Sequence, residues 1–270
     1  MGKEIAVESF SIQQANGLPL KGEVRTQIDG SGKPVLIVSH GFRGHRNWGF
    51  WPDVASRFAE LGYYTVNFDF TRIAARHLQV EEKKLAEAST ITQELHDLNA
   101  VLSNVLEAKL PLAGEADRSR VSLLGHSRSG GSSIILASEQ PDVRAVIVWN
   151  GGSGPVRSNG ANGSSQTLIE KAVNEDVSLN TERFDIVKHF KELRIPALVV
   201  QGDADNERLL QRNKELKAAA PHQKFIDIAG GDHTFGVANP YQGSTSQLDQ
   251  TVEETHRFLQ LAVTVKAPTS

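Results

Sequence analysis

The sequence predicts an α/β fold in which a mostly parallel sheet is flanked by helices. Six short apolar runs, many of them β-branched, alternate with amphipathic stretches of helical period. Several runs are nearly continuous, the composition of parallel strands that helices cover on both faces. At 270 residues the chain is long enough to build one large domain around a substantial core.

Taken in order, residues 1–30 alternate weakly around Asn16-Gly17, and the run Asp29-Gly30-Ser31-Gly32 follows, which predicts an antiparallel hairpin or edge strands. A strand is predicted at 35–40 (VLIVSH), then an amphipathic helix at 51–62 (WPDVASRFAELG) stopped by Gly62. A second strand at 64–70 (YTVNFDF) precedes a helix over 90–109. That helix opens on a Thr90–Gln93 capping-box pattern and carries Leu95, Leu98, Leu102, Val105 and Leu106 on one face. His96 and Asp97 within it are expected to face solvent. Strands at 120–125 (RVSLLG) and 144–150 (RAVIVWN) flank the helix-like SSIILASEQ. Strands at 195–202 and 224–229 are followed by the helical runs ERLLQRNKELKAAA and SQLDQTVEETHRFLQLAV. Residues 151–166 (GGSGPVRSNGANGSSQ) break this rhythm and lead into a less patterned stretch to about 190. An insertion of that length after a strand end predicts a cap or lid at 151–190 within a single domain spanning 1–270.

Composition removes several classes of function. A net charge of −3 with no basic block offers nothing to nucleic acid. With no cysteine there is no disulfide framework, thiolate metal site or thiol nucleophile. The opening MGKEIAVESFSIQQ lacks an apolar h-region, and no stretch reaches the roughly 18 apolar residues that span a bilayer, so a soluble cytoplasmic protein without a membrane partner is expected. No Walker loop or strand-linked G-x-G-x-x-G occurs, and the histidines and acids of HGFRGH and GDADNE lack metal-site spacing. Neither a metal nor another cofactor is expected.

The chemistry gathers at predicted strand ends, where reacting groups of open parallel sheets collect. VSLLGHSRSGGSS carries a strand into Ser127 and then into a helix. It nearly spells G-x-S-x-G, with Ser129 in the place of the second glycine. A strand–serine–helix turn presents the hydroxyl outward and demands small neighbours, which Gly125, Ser129, Gly130 and Gly131 supply. Two later strand ends offer a base and its orienting acid: Gly202-Asp203-Ala204-Asp205 and Gly230-Gly231-Asp232-His233. Ser127, an aspartate (203 or 205) and His233 thus follow in the order nucleophile, acid, base. After the first buried strand, His40-Gly41-Phe42 lets the Phe42 N–H turn inward, where it pairs with the Arg128 N–H as an oxyanion hole. Arg43, Trp48 and Trp149 are candidates for the pocket wall; Trp48, Phe50, Trp51 and Trp149 suit core and pocket equally, since both need large apolar surfaces.

The segments SHGFRG, GYYTVNFDF, LLGHSRSGG, VVQGDADN and AGGDHTF, spread over residues 34–260, resemble serine α/β-hydrolases of the dienelactone-hydrolase-like and cinnamoyl-esterase-like group. The resemblance implies that the acid is the last residue of a G-x-x-D loop, Asp205, and that His233 is the histidine of G-x-x-H-x-F. A serine where dienelactone hydrolases carry a cysteine nucleophile implies an esterase acting on a small-molecule ester through an acyl-enzyme, as a monomer or homodimer. The same triad serves acyl transfer or the cleavage of amides and thioesters, and a pseudo-hydrolase could keep the pocket for binding alone. The chain departs from the pattern at Ser129, in a short, Gly/Ser-rich cap, and at Thr71-Arg72-Ile73, where relatives often carry a glycine-containing turn.

Overall fold

The structure, a computed structural model, describes residues 4–154 and 166–262. Eight strands form one sheet: β1 (Ile5–Gln13), β2 (Pro19–Gln27), β3 (Lys33–Ser39), β4 (Tyr64–Asp69), β5 (Ala116–His126), β6 (Val143–Trp149), β7 (Ala197–Gly202) and β8 (Lys224–Ile228). Their spatial order is β1-β2-β4-β3-β5-β6-β7-β8. The β1–β2 hairpin joins antiparallel at one edge, and every pair from β4 to β8 is parallel. The predicted mainly parallel α/β sheet is therefore present, with the N-terminal hairpin as its antiparallel edge.

The continuous apolar runs have a simple cause. On β6, Val146 and Val148 enter one core layer while Ala145, Ile147 and Trp149 enter the other; on β5, Leu123 and Leu124 divide the same way. Side chains alternate between faces, so a strand covered twice must be apolar at every position. The first layer packs beneath α4 (Ile91–Leu106), α5 (Arg128–Glu139), α7 (Ile186–Glu192) and α8 (Glu207–Ala219), through residues such as Leu98, Ile134, Phe190 and Leu216. The second packs beneath α1 (Trp51–Glu60) and α9 (Ser246–Ala262), through Val54, Phe58, Val252 and Leu259.

Helix α4 departs from expectation in two ways. Thr90 caps it by accepting from the Gln93 N–H at 3.2 Å, but the Gln93 amide reaches Asp97 Oδ1 at 2.7 Å instead of closing the box. Asp97 is buried rather than solvent-facing; its Oδ2 accepts from the backbone N–H and hydroxyl of Thr71, at 2.7 and 2.8 Å. Thr71 opens α2 (Thr71–His77), a helix unforeseen from the sequence, as was α3 (Glu82–Glu87). The first N–H groups of a helix have no partner within it, and Asp97 supplies one. His96 is exposed, as expected.

The stretch up to 190 is more ordered than its weak pattern indicated. Helix α6 (Leu168–Leu179) starts on a complete capping box between Thr167 and Glu170, and α7 follows. The Gly/Ser-rich part expected to form the lid falls largely on 155–165, outside the described residues. Among the described residues no helix is long and apolar enough to cross a membrane, and no group of three or more His, Asp or Glu side chains could hold a metal ion.

Candidate active site

The carboxyl ends of β3, β5, β6, β7 and β8 meet around Ser127. This residue follows β5, precedes α5 and has φ 58° and ψ −123°. A non-glycine residue in such a conformation costs of order 1–3 kcal/mol, so its surroundings must hold it there. They do so by close packing: a Cβ on Gly125 would lie 2.3 Å from the Ser129 carbonyl oxygen. Ser129, the departure from the motif, is fully buried, and its hydroxyl lies 2.7 Å from the Ser39 carbonyl oxygen and 2.9 Å from that of His126. Its side chain therefore stitches the end of β3 to the turn instead of crowding it.

His233 Nε2 lies 3.0 Å from Ser127 Oγ, and His233 Nδ1 lies 3.0 Å from Asp205 Oδ2. The carboxylate can only accept, so Nδ1 carries the proton and Nε2 is left to accept from the serine hydroxyl. Burial alone would raise the Asp205 pKa, but hydrogen bonds and charge from His233, with the Asn206 N–H and the Gln201 amide, hold it below the usual carboxylate value. Asp203 sits apart, exposed, accepting the Gly230 N–H at 2.7 Å. Of the two candidate acids, the one that reaches the imidazole is Asp205.

The acid and histidine loops are also tied to each other. Asn150, just beyond β6, donates from Nδ2 to the carbonyls of Asp232 and His233 at 3.0 and 3.2 Å. Its Oδ1 accepts from the Gly202 N–H at 2.7 Å. The two loop backbones touch so closely that a Cβ on Gly202 would fall 2.1 Å from the Gly231 carbonyl oxygen. His126 completes the support, with Nε2 lying 2.8 Å from the His233 carbonyl oxygen. Burial pushes its pKa down to about 3, so the ring is neutral and Nε2–H donates.

Phe42 and Arg128 line the same cavity as Ser127. Arg128 is the first residue of α5, so its N–H has no carbonyl a turn earlier to bond. The Gly41 backbone packs beside Ser127: a Cβ on Gly41 would lie 3.0 Å from the serine Cβ.

A sequence model of the dienelactone hydrolase family matches residues 24–244. The chain belongs to that family. It is accordingly a hydrolase of the α/β-hydrolase fold. Solved structures with this fold include Est1E from Butyrivibrio proteoclasticus with ferulic acid bound, at 19% identity, TM-score 0.68 and coverage of 95% of this chain and 100% of that one. The esterase domain of a Rhodothermus marinus protein matches at 17% identity and TM-score 0.65, over 96% and 99% of the two chains. A dienelactone hydrolase from Anabaena variabilis matches at 15% identity and TM-score 0.61, over 95% and 99%. No curated protein matches the chain in sequence.

In this member of the dienelactone hydrolase family, Ser127 and His233 face a cavity of about 590 Å³. Arg43, Trp48, Trp51, Ile169, Val173 and Arg208 line it, the two isoleucine and valine side chains coming from α6. Of the three residues the sequence offers for the pocket wall, Arg43 and Trp48 line this cavity. Trp149 does not: it is fully buried, stacked on Trp51 with ring centroids 5.9 Å apart, and donates to Thr255 Oγ1 at 3.0 Å. As the last residue of β6 it points into the α1–α9 layer, and Trp51 forms the wall instead. Sequence reasoning also missed His126, Asn150 and Arg72. Position gave a faint signal for the first two, since one adjoins the nucleophile and the other ends a strand.

Proposed function

We propose that the protein hydrolyses carboxylic esters through a covalent acyl-enzyme on Ser127. The reading rests on one observation: the continuous chain from Ser127 Oγ to His233 Nε2 and from His233 Nδ1 to Asp205 Oδ2, 3.0 Å at each step. His233 takes the serine proton as Oγ attacks the acyl carbon, and Asp205 holds the imidazole tautomer and stabilises its protonated form. The N–H groups of Phe42 and Arg128 bind the oxyanion. His233 then gives that proton to the departing alkoxide, takes another from the water that attacks the acyl-enzyme, and passes it to Ser127 Oγ as the acid leaves. Every step uses the chain's own groups.

The described part of the expected cap, residues 166–190, covers the cavity, with Ile169 and Val173 of α6 closing its apolar side. With Trp48 and Trp51 opposite, the cavity suits a small ester with an apolar or aromatic acyl group, the class that includes feruloyl esters. The protein works as a monomer or homodimer on such substrates.

The test is hydrolysis of short-chain p-nitrophenyl and feruloyl esters by the wild type and by Ser127→Ala. Turnover by the wild type alone, with covalent capture of Ser127 by a fluorophosphonate, is the expected result. Equal and negligible rates for both proteins, without capture, would leave a binding role for the pocket.

A further inference from the structure

Behind the two oxyanion donors lies a buried ion cluster that the triad does not use. Glu94 of α4 is fully buried, and its Oε2 accepts from Arg72 Nη1 at 2.9 Å and from Arg128 Nε and Nη2 at 2.9 and 2.6 Å. Its Oε1 accepts from the Ser132 hydroxyl at 2.7 Å. Arg72 is fully buried too, and the rest of its guanidinium turns to the oxyanion loop: Nη2 donates to the Gly41 carbonyl at 3.0 Å and Nε to the Phe42 carbonyl at 3.3 Å. His40 Nδ1 lies 2.8 Å from the same Gly41 oxygen. Arg128 covers the Phe42 ring, its guanidinium carbon 4.1 Å from the centroid, and donates from Nη1 to the Ser89 carbonyl at 3.1 Å.

The Gly41 C=O and the Phe42 N–H belong to one planar trans peptide and point in opposite directions. Clamping the oxygen between Arg72 and His40 therefore sets the direction of the N–H. Buried ion clusters are weak stabilisers, often replaceable by apolar side chains, so stability is a poor reason for this one.

We propose that Arg72, Glu94 and Arg128 form one positioning unit that sets both oxyanion donors, Arg72 by clamping the Gly41–Phe42 peptide and Arg128 by anchoring the start of α5, with Glu94 joining the two. The proposal rests on the acyl-enzyme reading above. None of the three side chains exchanges a proton with the substrate; they act through the backbone N–H groups of residues 42 and 128.

The experiment compares the wild type with Arg72→Met and Arg72→Lys, using kcat and KM on p-nitrophenyl butyrate and thermal unfolding as a check on folding. Inhibition by a trifluoromethyl ketone, which forms an oxyanion with the serine, is compared with inhibition by the matching methyl ketone. Removing an oxyanion donor outright costs about 10²–10³ in kcat, so misdirecting one should lower kcat about 10- to 100-fold in Arg72→Met with little change in KM. Affinity for the trifluoromethyl ketone should fall in parallel while the methyl ketone binds as before, and Arg72→Lys should be intermediate because an ammonium cannot span Glu94 and both carbonyls. A folded Arg72→Met with wild-type kcat, or an equal loss for both ketones, would overturn the proposal. If Arg72→Met does not fold, Arg72→Lys decides, and wild-type kcat there overturns it. A wild type that neither turns over ester nor reacts with fluorophosphonate refutes the acyl-enzyme reading itself, a result separate from any of these.

Discussion

Replacing Ser129 by glycine restores the G-x-S-x-G pattern around Ser127, and it should make the protein less stable. In the structure the Ser129 hydroxyl is fully buried between the carbonyl oxygens of Ser39 and His126, at 2.7 and 2.9 Å. Removing it strands buried acceptors, which costs about 1–3 kcal/mol. Glycine in the first turn of α5 adds backbone entropy lost on folding, about 0.5 kcal/mol relative to serine. The sum, about 1.5–3.5 kcal/mol, corresponds to a fall in Tm of about 3–6 °C for a domain of this size. Ser129→Ala keeps the Cβ and should show only the hydrogen-bond part. Thermal and urea unfolding of the three proteins measures both terms. A Ser129→Gly variant as stable as the wild type would mean that the hydroxyl contributes nothing and that the motif glycine was absent without structural cause.

Two further outcomes follow from the site. Asp205→Asn should lower kcat about 10³–10⁴-fold by releasing the imidazole tautomer, whereas Asp203→Asn keeps an acceptor for the Gly230 N–H and should remain close to wild type; steady-state rates of the pair would refute the assignment if only the Asp203 variant lost activity. His126 titrates at about 3 in the fold and at roughly 6.5 when unfolded, so between those values the unfolded chain binds more protons and stability rises with pH. Its neutral ring therefore favours folding fully above about pH 6.5 and progressively less as pH falls toward 3. Urea titrations across this range should give a shallower slope for His126→Gln, with buried His40 leaving a residual slope of the same sign; unchanged slopes would contradict a neutral buried His126.

The parts of the molecule that could be read from the sequence are those that one local pattern determines. Apolar runs marked β3 to β7 because both faces of these strands are largely covered, β8 showed as a shorter run at the half-buried edge, and the elbow announced itself because a strained serine needs small neighbours. What escaped depends on contacts between distant segments. Asp97 looks like a solvated helix residue until α2 places the Thr71 N–H beside it. Trp149 and Trp51 are chemically equivalent in sequence, and only the facing of β6 against α1 decides which one meets the cavity. Arg72 and Glu94 are charged residues that composition assigns to the surface, yet they satisfy each other, Arg72 donating also to the Gly41 carbonyl and Glu94 accepting also from Arg128 and Ser132. The α6 helix hid because its capping box and amphipathic turn follow a glycine-rich stretch that dominates the local signal.

The contact between Gly202 and Gly231 limits how this scaffold can be altered. Loops after parallel strands are usually treated as interchangeable parts, swapped one at a time to acquire new specificity. Here the backbones after β7 and β8 lie in van der Waals contact and share Asn150 as a common bracket, so neither can be lengthened or replaced while the other stays as it is. The acid and the base travel as a single cassette, and any graft that carries one without the other should separate the imidazole from its carboxylate. Diversity in this site is therefore open to lining residues outside the cassette, such as Ile169 and Val173 on α6, which can change without disturbing it.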